Sequence, residues 1–159
     1  MKYFLLLLIL YSVSFSKNDK NVFIYNEFQG PQKGLISPNL EYKFIEMSND
    51  SVNEQSIRIR LGVSLMTLVL FKPQPSYLLG FHYISGLKRK LDIGIAIVQE
   101  YYDTNDPGDF FNTATSISFT LGFRHTIGDD WFIGGAICPT YSMENIPFYP
   151  VSFKFGYSL

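Results

Sequence analysis

The chain has 159 residues, a formal charge of −1, and equal shares, 17% each, of charged and aromatic side chains. Soluble domains carry about 25% charged residues, so there are too few charges here to coat a water-facing surface. Near-neutrality, with no basic field, argues against a nucleic-acid partner, and the single Cys138 excludes an internal disulfide framework.

The N-terminal segment reads as an export signal. Met1-Lys2 is a short positive region, Phe4 to Tyr11 is an unbroken apolar core, and Ser14-Phe15-Ser16 places small residues before a cut at Lys17. The apolar stretch is shorter than the roughly 20 residues that span a bilayer as a helix. No Cys near the cut provides for a lipoprotein anchor. Two regions are therefore expected: a signal peptide over 1–16 and one β-domain over 17–159.

Eight alternating segments follow, near 21–29, 34–46, 55–70, 75–87, 90–102, 111–126, 129–142 and 147–159. Successive side chains of a strand point to opposite faces. In the third segment Ile57, Ile59, Leu61, Val63 and Leu65 share a face opposite Arg58, Arg60, Gly62 and Ser64. In the fifth, Leu91, Ile93, Ile95 and Ile97 oppose Asp92, Gly94 and Ala96. The sixth sets Ile117, Phe119, Leu121 and Phe123 against Ser116, Ser118, Thr120, Gly122 and Arg124. One apolar face and one small or polar face, repeated around eight strands, predicts an eight-stranded antiparallel up-and-down transmembrane β-barrel.

The connectors Gly30 to Gly34, Lys72 to Pro75, Leu87 to Lys90 and Gly128 to Asp130 carry turn residues or charge. An even strand count puts both termini on the periplasmic side, so the loops at 29–34, 71–75, 103–110 and 142–147 are expected outside. The polar stretch 47–54 is then long for a periplasmic turn. Aromatics at strand ends, Tyr42, Phe71, Tyr77, Tyr83, Phe111, Trp131, Tyr141 and Tyr149, fall where headgroup girdles are expected.

The last segment, Val151 to Leu159, alternates without a miss. It resembles the closing strand of bacterial outer-membrane barrels, although that strand more often ends in Phe than in Leu159. The resemblance implies that Phe153, Phe155, Tyr157 and Leu159 form an assembly signal for the barrel assembly machinery. Taken whole, with Leu121-Gly122-Phe123-Arg124 and Phe155-Gly156-Tyr157-Ser158-Leu159, the chain is similar to the small OmpA/OmpX-type barrels, most of all to uncharacterised barrel proteins of Bacteroidota. That implies an outer-membrane location in a Gram-negative bacterium and contact with outer-membrane lipids. It implies no activity.

A barrel inverts the usual inside and outside, so Lys43, Arg58, Arg60, Arg124 and Lys154 are expected to project into the lumen, with Glu41 and Asp92 as partners. An eight-stranded lumen is just wide enough for side chains to fill. An internal ion-pair network plugging the lumen is the expectation, and with it a structural or surface-interaction role toward an unknown surface ligand. No cofactor or metal motif is present. A lipid-modifying enzyme and a narrow solute or anion pore remain as alternatives. For the first, His82 reads as an interior residue, and His125-Thr126-Ile127 lacks the Ser two residues after His that lipid A deacylases carry. The acidic run Asp103 to Asp109 lacks calcium-loop spacing. The run Leu87 to Lys90 could touch anionic headgroups, but charges at a turn are ordinarily just solvated.

Overall fold

The structure is a computed structural model that describes residues 20–32, 36–50, 53–66, 73–102, 112–142 and 150–159. These form strands β1 (Val22–Phe28), β2 (Ser37–Asp50), β3 (Asn53–Met66), β4 (Pro73–Gly86), β5 (Arg89–Tyr102), β6 (Asn112–Ile127), β7 (Trp131–Ile137), β8 (Thr140–Ser142) and β9 (Val151–Ser158), with no helix among the described residues. From β1 to β7 each strand pairs antiparallel with the next, β7 pairs with β9, and β9 returns to β1 through Phe23↔Ser158 to Phe28↔Phe153, closing the ring.

β7 and β8 are two lengths of one barrel strand. Both pair with β6, through Leu121↔Ile137 and Ser118↔Thr140, on either side of Cys138-Pro139. Pro139 has no N–H to give to the ladder, which ends the regular pairing there. The ring stays sealed because Phe119 N donates to Pro139 O at 2.9 Å and Cys138 N to Pro150 O at 2.9 Å. The nine segments thus make a closed eight-stranded antiparallel barrel.

The stretch 47–54 is not a connector. β2 runs to Asp50 and β3 starts at Asn53, where the two strand ends pair as Asp50↔Asn53, so the strands take up all but two residues of this stretch. Two register shifts, at Lys43/Ile45 and Glu46/Ser48, hide this from a period-two reading. A bulge adds a residue and resets the alternation, so the adjacent Phe44 and Ile45 both face outward, 59% and 43% exposed.

The two rims differ. One carries the tight turns between Gly86 and Lys90 and over Gly128 to Asp130, together with the paired strand ends Asp50 and Asn53. Gly128 sits at φ +62° with open space around it, so its role is conformational. Lys20 and Leu159 lie at this same rim, where Leu159 N donates to Val22 O at 2.8 Å and Lys20 bonds Asp129 and Asp130. The opposite rim carries the four longer connectors. Of these, Gly30, Pro31 and Gln32 turn back into the barrel mouth and are buried, with Gln32 Nε2 donating to Ser76 O at 3.2 Å. The expected loops at 103–110 and 142–147, together with Phe71, Phe111 and Tyr149, lie almost wholly or wholly outside the described residues.

Polarity is inverted relative to a water-soluble fold. Outward positions hold Ile24, Leu61, Leu79, Phe81, Ile95, Leu121, Phe153 and many more large apolar side chains, each more than two-fifths exposed. Inward positions hold Glu27, Glu41, Arg58, Arg60, His82, Asp92, Arg124 and Lys154, each at most 2% exposed.

Candidate functional site

The site is the lumen, and its centre is Arg124 on β6. Arg124 donates from Nη1 to Glu41 Oε2 at 2.7 Å and from Nη2 to Glu41 Oε1 at 2.6 Å, across the barrel to β2. Its Nε donates to Asp92 Oδ2 at 2.9 Å on neighbouring β5. A planar guanidinium with several donors can hold two carboxylates at once, which a lysine ammonium cannot do in this fork geometry. Tyr25 Oη donates to Glu41 Oε1 at 2.7 Å. Asp92 also receives Lys154 Nζ at 2.8 Å and lies 2.6 Å from His82 Nδ1.

The network continues toward both rims. On the loop side, Arg60 pairs with Glu27 and donates from Nε to Asn39 Oδ1 at 2.9 Å, while Lys154 reaches Glu27 at 3.7 Å. On the tight-turn side, Arg58 lies 3.8 Å from Glu41 and 3.3 Å from Glu54, and Lys90 shares Glu54. Lys43 pairs with Glu46 at 3.3 Å. The sequence reading names Glu41 and Asp92 as the acids of the lumen; the acid beside Lys43 is Glu46. Glu27, Glu54 and Lys90 also join, as do the polar Tyr25 and His82. Lys90 does not belong to a solvated run: its side chain turns into the lumen, away from Lys88 and Arg89.

Small residues make room for these groups. Gly94 faces the His82 imidazole, whose ring atoms would stand 2.6 to 2.7 Å from a Cβ there. Gly156 faces Tyr25 and Phe132, which pack edge to face at 5.7 Å. Arg124 lies over both rings, 5.4 Å and 5.3 Å from their centroids, and Arg58 over Phe23 at 3.7 Å. Aromatic faces and carboxylates together stand in for water around the buried cations.

These side chains occupy the middle of the lumen, where Glu41, Arg58, Arg60, Asp92, Arg124 and Lys154 are each at most 2% exposed. A cavity of about 280 Å³ opens at the tight-turn mouth and stops against Arg58, Arg124 and Phe132. The Asp92–His82 pair has the form of a base with its orienting acid, but His82 Nε2 is buried and, among the described residues, has no hydrogen-bond partner, hydroxyl and thiol included. Cys138 is fully buried and contacts Ser152 Oγ at 3.7 Å. Ser118 receives Thr140 Oγ1 at 3.0 Å. His125 lies on the opposite side of the wall from the lumen, paired across strands with Arg89 and Ile133.

Phe153, Phe155 and Leu159 face outward, each at least 44% exposed, and Tyr157 packs on Trp131 at 5.0 Å. Glu27 was discoverable: it falls in step with Phe23 and Tyr25 on the inward face of β1. Lys90 and Glu54 were not, because both stand at strand ends where alternation loses its phase. No family model, no curated protein and no solved structure matches this chain.

Proposed function

We propose that this chain is an integral outer-membrane barrel with a sealed lumen, exported by the signal peptide 1–16, whose work is structural or surface interaction through the connectors at its loop-bearing rim. The observation that carries the reading is the outer wall. A soluble monomer rarely exposes a contiguous apolar patch beyond a few hundred Å², whereas here the apolar surface runs around the barrel, through Ile95, Phe119, Ile137, Val151, Ile24, Leu61 and Leu79. Strand length fits the same reading. β5 has 14 residues, which rise roughly 35 Å along the axis of a barrel tilted by about 40°, enough to cross an apolar band of about 25 Å.

Aromatic pairs stand near both borders of the wall: Tyr77 with Tyr101 at 5.7 Å toward the loop rim, Trp131 with Tyr157 at 5.0 Å toward the tight-turn rim. The tight-turn rim then faces the periplasm and the loop rim the exterior. In this reading the C-terminal residues Phe153, Phe155, Tyr157 and Leu159 engage the barrel assembly machinery, and outer-membrane lipids cover the wall.

The test is heat-modifiability. Mature protein extracted from outer-membrane fractions is compared boiled and unboiled on a denaturing gel. A mobility shift, with recovery in the outer membrane, is expected. Recovery in the soluble periplasm with no shift overturns the reading in favour of a soluble barrel.

A further inference from the structure

Every lumen cation named above has a carboxylate within 4 Å, but on the outer side of the tight-turn rim the pattern breaks. Lys88 and Arg89 are exposed, and among the described residues neither has an acidic partner. Arg89 stands directly across from His125 on β6, and Thr126 N donates to Lys88 O at 2.8 Å, so the turn is tied against β6. The backbone that carries these two unpaired cations is thus held at the edge of the apolar wall.

One register step up the wall from Arg89 and His125 lies the row Leu91↔Phe123↔Gly135↔Phe153. Gly135 has no side chain on a face where its neighbours are large. The gap is part of an apolar groove of about 840 Å³ bounded by Leu91, Leu121, Phe123, Ile133, Ile137 and Phe153. A Cβ on Gly135 would meet Phe123 only at 3.4 Å, so backbone crowding does not demand glycine here, unlike at Gly156.

We infer that this face holds an anionic phospholipid, with its phosphate on Lys88 and Arg89 beside His125 and an acyl chain in the groove at Gly135. The inference rests on the membrane-spanning reading above, which puts the tight-turn rim in the periplasmic leaflet. Charge complementarity selects the occupant. A zwitterionic headgroup brings its own cation and gains less from two unpaired basic side chains, whereas a phosphate with net negative charge gains from both. The position of the groove immediately above the cations matches a molecule whose charge and chain are joined end to end.

Trp131, the chain's one tryptophan, is 45% exposed on the same outer face, two residues from Ile133, and reports on this site. The full mature barrel is reconstituted in phosphatidylcholine vesicles containing either phosphatidylglycerol or phosphatidylcholine brominated near the headgroup end of the acyl chains, and quenching of Trp131 is titrated. Brominated phosphatidylglycerol is expected to quench at a several-fold lower mole fraction. The preference should fall stepwise as each cation is removed, reaching parity in Lys88→Gln/Arg89→Gln. Gly135→Leu should reduce it with no change of charge, gel mobility of the unboiled variant verifying the fold. Equal quenching by the two lipids in the native protein, or a preference that survives the double substitution, overturns the inference and leaves the membrane reading standing. Absence of quenching by either lipid overturns both.

Discussion

The lumen and the outer wall are made by the same strands, residue by alternate residue, yet they obey opposite rules. On the wall, Ile93, Ile95 and Ile97 meet Tyr83, Phe81 and Leu79, their cross-strand neighbours, and nothing polar intervenes. In the lumen, Asp92 alone touches His82, Arg124 and Lys154, from three different strands. Wall contacts are local and interchangeable, since one branched apolar side chain substitutes for another at small cost. Lumen contacts are specific in angle and partner, and each removal strands a buried charge. The wall adapts the protein to its solvent, whereas the lumen ties distant strands into one closed object.

The sharpest way to break this contrast is in the lumen. Arg124→Leu leaves Glu41 without its two-pronged partner and should lower stability by about 3–5 kcal/mol, read from denaturant unfolding of the reconstituted protein. Adding Glu41→Leu should restore part of that loss. A loss within about 0.5 kcal/mol for the single variant would mean that water reaches Glu41.

On the wall, Ile95→Arg should cost about 2–4 kcal/mol in a bilayer, where a mid-wall charge meets hydrocarbon. In a water-facing wall the same change is close to neutral, so this variant also separates a membrane barrel from a soluble one. A smaller contrast uses two glycines. Gly156→Ala pushes a methyl to 2.6 Å from Ile24 O and 2.8 Å from Phe132 in the lumen, and should cost about 1–3 kcal/mol. Gly135→Ala, with its nearest contact at 3.4 Å on the wall, should stay within about 0.5 kcal/mol. Thermal unfolding of the pair in one lipid mixture gives the comparison.

The smallest effect belongs to the rim. Lys20 and Tyr157 hydrogen-bond the Asp130 carboxylate, holding its pKa below the ordinary value. A depressed carboxyl stabilises the fold above its unfolded pKa and loses that contribution as the pH falls through the folded value. Asp130→Asn should therefore lower the unfolding midpoint slightly at neutral pH, and the difference from the native protein should shrink as the pH falls below the ordinary Asp value of about 4 and vanish below the depressed folded value. An unchanged midpoint at neutral pH would show that these bonds are fully exchanged with water.

Much of the fold was legible because an apolar wall and a polar interior write a period of two into most of the strands. β3, β5 and β6 show it cleanly, since no bulge interrupts their inward rows Arg58-Arg60-Gly62, Asp92-Gly94-Ala96 and Ser118-Thr120-Gly122. β2 was misplaced at its far end, and the physical reason is local: the bulge at Phe44 puts two successive apolar residues outside, and alternation cannot be followed through it. The break at Cys138-Pro139 was likewise invisible, because the ladder on both sides keeps the same facing.

Which side of each regular strand is polar and how many strands there are belong to the sequence alone, since they follow from side-chain direction along an extended chain. Who pairs with whom was decided by closure. Glu41 and Arg124 stand 83 positions apart, and only the curvature and stagger of a ring bring β2 and β6 face to face across a lumen. The same closure carries Lys90 to Glu54 while leaving Lys88 and Arg89 outside, a division set by one step of register at a turn.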